Sequence, residues 1–158
     1  MCGIFGIVGK EDPVFVKKMA DLLSYRGPDA SGFYNDKGIS LGHRRLSIVD
    51  LKSGKQPMLN EEGDVCVVFN GEIYNHNHLR VEFEKKGHTY RTRCDTESIL
   101  HAYEEYGEQL TKKLHGMYSF ALWDSSRKKL ILARDPVGIK PLYYYQNDDF
   151  MIFSSEYK

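Results

Sequence analysis

Val65-Cys66-Val67-Val68-Phe69, followed at once by Asn70-Gly71, is the stretch on which the fold turns. It is the longest unbroken apolar run in the chain, and it is five residues long. A membrane-spanning helix needs about 20 such residues, so none is predicted. A short run closed by a turn-type dipeptide reads instead as a buried strand. Within it Cys66 is most simply a small core residue.

Working outward, Gly3-Ile4-Phe5-Gly6-Ile7-Val8-Gly9 predicts a first strand with close backbone neighbours, because of its three glycines. Asp12-Pro13 reads as an N-cap followed by Pro at N1. Phe15, Met19, Leu22 and Leu23 then share one helical face, and the helix ends before Gly27. Short strands are predicted near Gly38–Leu41 and Leu46–Val49. Beyond the apolar run, a helical block covers His78 to His115 with interruptions. Leu79 and Phe83 are four apart, Gly87 is a plausible C′ residue, and Asp95 can cap a helix carrying Ile99, Leu100, Tyr103 and Tyr106. Strands return at Tyr118–Trp123, Leu130–Arg134, Leu142–Tyr145 and Phe150–Ser154, with polar turns between. Tyr143-Tyr144-Tyr145 alternates across a strand and is expected to pack. Strands, a helical block, then strands again point to an α+β fold of two sheets with helices outside, not a doubly wound parallel sheet.

The chain has 158 residues, and neither a repeat nor a linker divides it, so residues 1–158 read as one domain. Lys+Arg and Asp+Glu both number 22, which lacks the basic excess of a general nucleic-acid binder. No long apolar segment opens the chain as a secretory signal would. Three cysteines without a CxxC pair argue against both a disulfide framework and a zinc site, and favour a reducing cytoplasm.

Cys2 stands apart. Removal of Met1 would leave it N-terminal, with a thiol nucleophile and an α-amine on one residue. Such an amine has a pKa near 7.7–8.0, so roughly a tenth is free base at neutral pH and can accept a proton without a histidine. Position alone does not decide this, since a second-position Cys is also commonplace. Asn70-Gly71 is equally two-sided: an amide and a following N–H at a strand end can form an oxyanion hole, and Asn-Gly is also the commonest hairpin dipeptide. Arg44-Arg45 could bind a carboxylate or lie exposed. Asp95-Thr96-Glu97 suits a helix start. The glycines at 3, 6 and 9 do not form a dinucleotide fingerprint, Ser53-Gly54-Lys55-Gln56 is not a P-loop, and no GxSxG elbow occurs. His76 and His78 lack a third ligand nearby and suit a cap or loop, so no metal site is predicted.

Met1-Cys2-Gly3-Ile4-Phe5-Gly6 resembles the opening of class II glutamine amidotransferase domains, which are N-terminal-nucleophile hydrolases. Arg26-Gly27-Pro28-Asp29, His43-Arg44-Arg45-Leu46-Ser47-Ile48-Val49-Asp50 and Asn70-Gly71-Glu72-Ile73-Tyr74-Asn75 match that family in order and spacing. So do Asp95-Thr96-Glu97, the segment from Gly116 to Asp124, Ala133-Arg134-Asp135-Pro136 and Ser154-Ser155-Glu156. The likeness covers essentially the whole chain. Pro28 and the Leu-Ser-Ile-Val-Asp segment point to the asparagine synthetase branch.

The resemblance implies a four-layer αββα sandwich of two antiparallel sheets. It implies Cys2 as nucleophile with its own α-amine as base, and Asn70 and Gly71 as the oxyanion hole. Arg45 would hold the α-carboxylate of L-glutamine, Asp95 and the Glu72 region its α-ammonium, while Leu46, Ile48 and Val49 shape the pocket. The segment from Gly87 to Cys94 would close over the substrate. Cys94 departs from the family pattern, which usually has another small residue before the aspartate, and would set a second thiol near the substrate amine. Glutamine hydrolysis needs no cofactor in this scheme. ATP and magnesium belong to a synthetase domain whose Ser-Gly-Gly-x-Asp-Ser loop has no counterpart here. The expectation is a fragment of a longer chain that delivers ammonia to an ATP-dependent synthetase domain or subunit. An amidotransferase with another acceptor, such as a sugar, and a non-catalytic regulatory domain of the same fold are the competing readings.

Overall fold

The computed structural model describes residues 1–46 and 54–157. The chain runs β1 (Gly3–Val8), α1 (Pro13–Leu22), β2 (Ala30–Asp36), β3 (Ile39–Arg45), β4 (Met58–Leu59) and β5 (Val65–Ile73). It continues through α2 (His76–Lys85), α3 (Asp95–Tyr106), a 3-10 helix (Gly107–Lys112), β6 (Gly116–Asp124), β7 (Lys129–Arg134), β8 (Tyr143–Gln146) and β9 (Met151–Ser154). Every strand pairing is antiparallel among the described residues. One sheet has the order β2-β3-β1-β9-β8 and the other β4-β5-β6-β7.

Three apolar seams stack these parts into four layers. In α1, Val16, Ala20 and Leu23 bury against Phe5 and Ile7 of β1. The opposite face of β1 and β3 presents Ile4, Ile39 and Leu41 to Cys66, Val68, Ala121 and Trp123 of the second sheet. Alternation along β5 then sends Val65, Val67 and Phe69 outward to Leu79 and Phe83 of α2 and Ile99, Leu100 and Tyr103 of α3. The order is helix, sheet, sheet, helices: the α+β sandwich expected. The Val65–Phe69 run is thus apolar throughout because both faces of β5 are covered, and burial pushes the Cys66 thiol pKa up. No helix among the described residues is long and apolar enough to cross a membrane.

Capping of α1 is as expected: Asp12 Oδ1 accepts from Phe15 N at 2.9 Å, with Pro13 at the first turn. Several other expectations need correction. Leu22 is 70% exposed; the buried face of α1 is 16, 20 and 23, the set that meets β1. Strands β2 and β4 were not anticipated, and the strand expected at Gly38–Leu41 runs on as β3 to Arg45. Most of the strand expected at Leu46–Val49 lies outside the described residues. Asp95 does not cap α3: Cys94 occupies that position, and Asp95 is the first helical residue. Tyr143, Tyr144 and Tyr145 are exposed rather than packed, because β8 is an edge strand whose faces no described element covers.

Candidate active site

Cys2 sits immediately before β1, and three distant segments converge to hold it. Arg26 Nε donates to the Cys2 carbonyl at 3.1 Å, and Arg26 Nη1 pairs with Glu156 at 2.5 Å. Ser155 then ties Ile4, two residues on, down twice, its Oγ accepting from Ile4 N at 3.0 Å and its N donating to Ile4 O at 2.9 Å. Gly27 lets this clamp approach β3, since a Cβ there would stand 2.4 Å from the Arg44 carbonyl carbon. The backbone N–H of Leu46 donates to Cys2 Sγ at 3.5 Å.

Across from Cys2 lies the far end of β5. Asn70 and Gly71 are not a turn; they pair with Ser119 and Tyr118 inside the β5–β6 ladder. A Cβ on Gly71 would stand 2.2 Å from Met117 O, so the close approach of β5 to β6 requires glycine here. Asn70 is 2% exposed, and its Nδ2 is buried without a hydrogen-bond partner among the described residues. An unpaired buried donor costs about 1–3 kcal/mol. The strand itself is fastened on both sides of this point: Gln56 Oε1 accepts from Phe69 N at 2.6 Å, and His43 Nε2 lies 3.1 Å from Phe69 O. His43 belongs to the other sheet, so this bond joins the two layers beside Asn70. Burial depresses the His43 pKa to about 4, leaving a neutral ring that donates to the carbonyl.

The third wall is the start of α3. Asp95 Oδ2 accepts from Ile73 N at 2.8 Å, which locks the helix onto the end of β5. Burial raises the Asp95 pKa above the usual carboxylate range. A cation placed beside it would reverse that shift. Cys94 Sγ lies 3.1 Å from Thr96 Oγ1 and 3.6 Å from Asp95 Oδ1, and burial raises its pKa as well, so it is a thiol rather than a nucleophile. The segment from Gly87 to Cys94 lies fastened along α3. Glu97 accepts from Arg91 N, Thr92 N and Thr92 Oγ1, Arg80 donates to Thr92 O, and Tyr90 Oη meets Ser98 Oγ at 3.0 Å.

These walls enclose a cavity of about 210 Å³. Cys2, Arg45, Leu46, Asn70, Gly71, Glu72 and Asp95 all line it, so the structure brings together the described residues to which the family resemblance gives a site role. Ile48 and Val49 lie outside the described residues. Arg45 is buried at the end of β3, while Glu72 is exposed at the rim. A thiol, a guanidinium, two carboxylates and an idle amide donor around so small a space suit a small amino acid with a reactive carbonyl.

A family profile described as the glutamine amidotransferase domain matches residues 1–158. The chain belongs to this family. Among curated relatives of the amidotransferase domain, it is 42% identical over 165 residues to "Asparagine synthetase [glutamine-hydrolyzing] 1" of Bacillus subtilis, covering 100% of this chain and 26% of that protein. It is 44% identical over 164 residues to "Asparagine synthetase [glutamine-hydrolyzing] 2" of Oryza sativa subsp. japonica, covering 100% of this chain and 27% of that protein. The domain therefore spans about a quarter of the length of these relatives. The solved glutamine phosphoribosylpyrophosphate amidotransferase of B. subtilis shares its fold, with a TM-score of 0.77 at 21% identity over 98% of this chain and 42% of the other.

Other residues lining the amidotransferase cavity had no individual site role assigned from the sequence: His43, Gln56, Arg93, Thr96 and Lys140. Lys140 arrives through Asp135, whose carboxylate accepts from Tyr118 N, Ile139 N and Lys140 N, and through Arg134, which donates to Lys140 O at 2.8 Å. The Ala133-Arg134-Asp135-Pro136 motif was visible; its purpose, to fold the following loop over the cavity mouth, was not. Nothing local marks Gln56, which reaches β5 only in the folded chain.

Proposed function

We propose that this chain hydrolyses the side-chain amide of L-glutamine to glutamate and ammonia, as the glutaminase part of an asparagine synthetase-like amidotransferase. The observation that carries the reading is the buried Nδ2 of Asn70, without a partner among the described residues, in the wall of a cavity that also holds Cys2. A donor left idle at a cost in stability fits a role in which charge appears only during reaction.

In this mechanism Met1 is removed, and the new α-amine of Cys2 accepts the thiol proton. The thiolate attacks the side-chain carbonyl carbon of glutamine. Negative charge on the carbonyl oxygen is met by Asn70 Nδ2 and the Gly71 N–H. The amine returns the proton to the leaving nitrogen, ammonia departs, and a γ-glutamyl thioester remains on Cys2. Water, deprotonated by the same amine, adds to the thioester; the C–S bond breaks, glutamate leaves and the thiol is restored. Arg45 pairs with the substrate α-carboxylate, Asp95 and Glu72 face its α-ammonium, and Leu46, with Ile48 and Val49, shapes the pocket. Every group in this scheme belongs to the chain itself. ATP and magnesium would serve a synthetase domain or subunit that receives the ammonia in the cytoplasm, and the relatives' names favour aspartate as its acceptor.

Steady-state glutaminase kinetics on folded Asn70→Gly and Asn70→Asp test the reading. Both variants lose the amide donor, and kcat should fall by about 10²–10³, with KM changing much less. A glycine variant within about threefold of the parent kcat, against those two to three decades, would refute the oxyanion role.

A further inference from the structure

A second cluster of polar groups lies away from the cavity, where α3 meets the start of the Gly87–Cys94 segment. His88 Nε2 lies 2.9 Å from Glu105 Oε1, and a proton kept on Nε2 by that carboxylate would free Nδ1 to act as a ligand on the Glu104 side. His88 Nδ1 stands 3.2 Å from Glu104 Oε2. His101 Nδ1 stands 2.9 Å from the same oxygen. The other Glu104 oxygen is taken by Asn60 Nδ2 at 3.0 Å, which leaves Oε2 to face the two rings. His101 is 2% exposed, and among the described residues its Nε2 has no partner and its polar attachment is on the Nδ1 side. The donor atoms of His88, His101 and Glu104 all lie within 4.8 Å of one another.

His88 Nδ1 and His101 Nδ1 both converge on Glu104 Oε2, an arrangement held together either by protons on the rings or by a metal ion that displaces them. In a tetrahedral zinc site with bonds of about 2.0–2.1 Å, neighbouring donors lie about 3.3 Å apart, close to both measured separations from Glu104. A His–His–Glu set leaves a fourth position, and an open cavity of about 810 Å³ borders His88 and Glu104 where a water could complete the shell. Glu105 behind His88 and Asn60 behind Glu104 are the supporting contacts that orient metal ligands. We propose that His88, His101 and Glu104 bind a divalent transition metal of the zinc class. The bound ion would tie the start of the Gly87–Cys94 segment to α3, the helix whose first turn carries Asp95.

Titration of the 158-residue chain with Co²⁺, followed by absorption, tests this directly. The expected result is one equivalent bound with the visible bands of four-coordinate cobalt and no thiolate-to-cobalt charge transfer. His88→Ala should abolish those bands. Glu105→Ala, which removes only the supporting carboxylate, should weaken binding about 10–100-fold. Circular dichroism confirms folding; should His88→Ala unfold, Glu105→Ala decides. Failure of the parent chain to bind Co²⁺, or a signal showing thiolate charge transfer and surviving His88→Ala, would overturn the proposal and place any metal at Cys2.

Discussion

Asn60 precedes β5 and Asn70 lies within its second half, both nearly buried at 7% and 2% exposure, and they are used in opposite ways. The Asn60 amide is saturated: Nδ2 donates to Glu62, Asp64 and Glu104, and Oδ1 accepts from Asp64 N and Val65 N. The Asn70 Nδ2 has no partner among the described residues. A fold tolerates an idle donor only where packing over-determines it, and His43, Gln56 and the β6 ladder supply that constraint around Asn70. One asparagine closes a loop; the other holds a hydrogen bond in reserve. The difference teaches that burial and residue type do not separate structure from chemistry, whereas the list of partners does.

Exchanging the two positions tests this most strongly. Asn70→Gly should lose about 10²–10³ in turnover while keeping close to the parent stability. Asn60→Ala should do the reverse. It strands the buried Val65 N–H and should cost about 2–3 kcal/mol of unfolding free energy, with kcat per folded molecule unchanged. Urea unfolding and active-site-normalised kinetics on the same samples distinguish the two outcomes, and a shared profile would erase the contrast.

The brace beside Asn70 sharpens it further. His43 titrates near 4 when folded and near 6.5 when unfolded. Between these values the unfolded chain binds the extra proton, so stability is fully present above pH 6.5 and falls as pH drops toward 4. The loss attributable to His43 is about 3 kcal/mol. Unfolding free energies at pH 7 and pH 4 should therefore fall further in the parent than in His43→Gln. Parallel losses would remove His43 from the brace.

A smaller effect is expected at Arg45. Arg45→Lys keeps the charge but loses the planar fork that meets a carboxylate bidentately. KM for glutamine should rise about 10-fold, in line with one charge-assisted hydrogen bond of roughly 1.5 kcal/mol, with kcat little altered. An unchanged KM would assign the substrate carboxylate elsewhere.

Much of this was legible in the chain because it rests on local pattern. Val65–Phe69 had to be a buried strand, Asp12-Pro13 had to start a helix, and Gly87, with a φ of 101°, had to end one. Failures came where a distant partner decides. Asn70-Gly71 carries hairpin chemistry, yet β6 runs alongside for nine residues and keeps it extended. Leu22 has helical spacing to Met19, yet β1 approaches the neighbouring face of α1. The motifs around Arg26 and Glu156 were visible as motifs, but only the fold shows that they meet over the Cys2 backbone.

The central claim is that Cys2, freed of Met1, forms a covalent bond to the γ-glutamyl group. Acid quench of the chain during turnover with glutamine, followed by intact-mass and peptide mapping, tests it most directly. The account predicts a chain lacking Met1 that carries a γ-glutamyl adduct on Cys2. An active chain that retains Met1, or an adduct on Cys94 in place of Cys2, would contradict it.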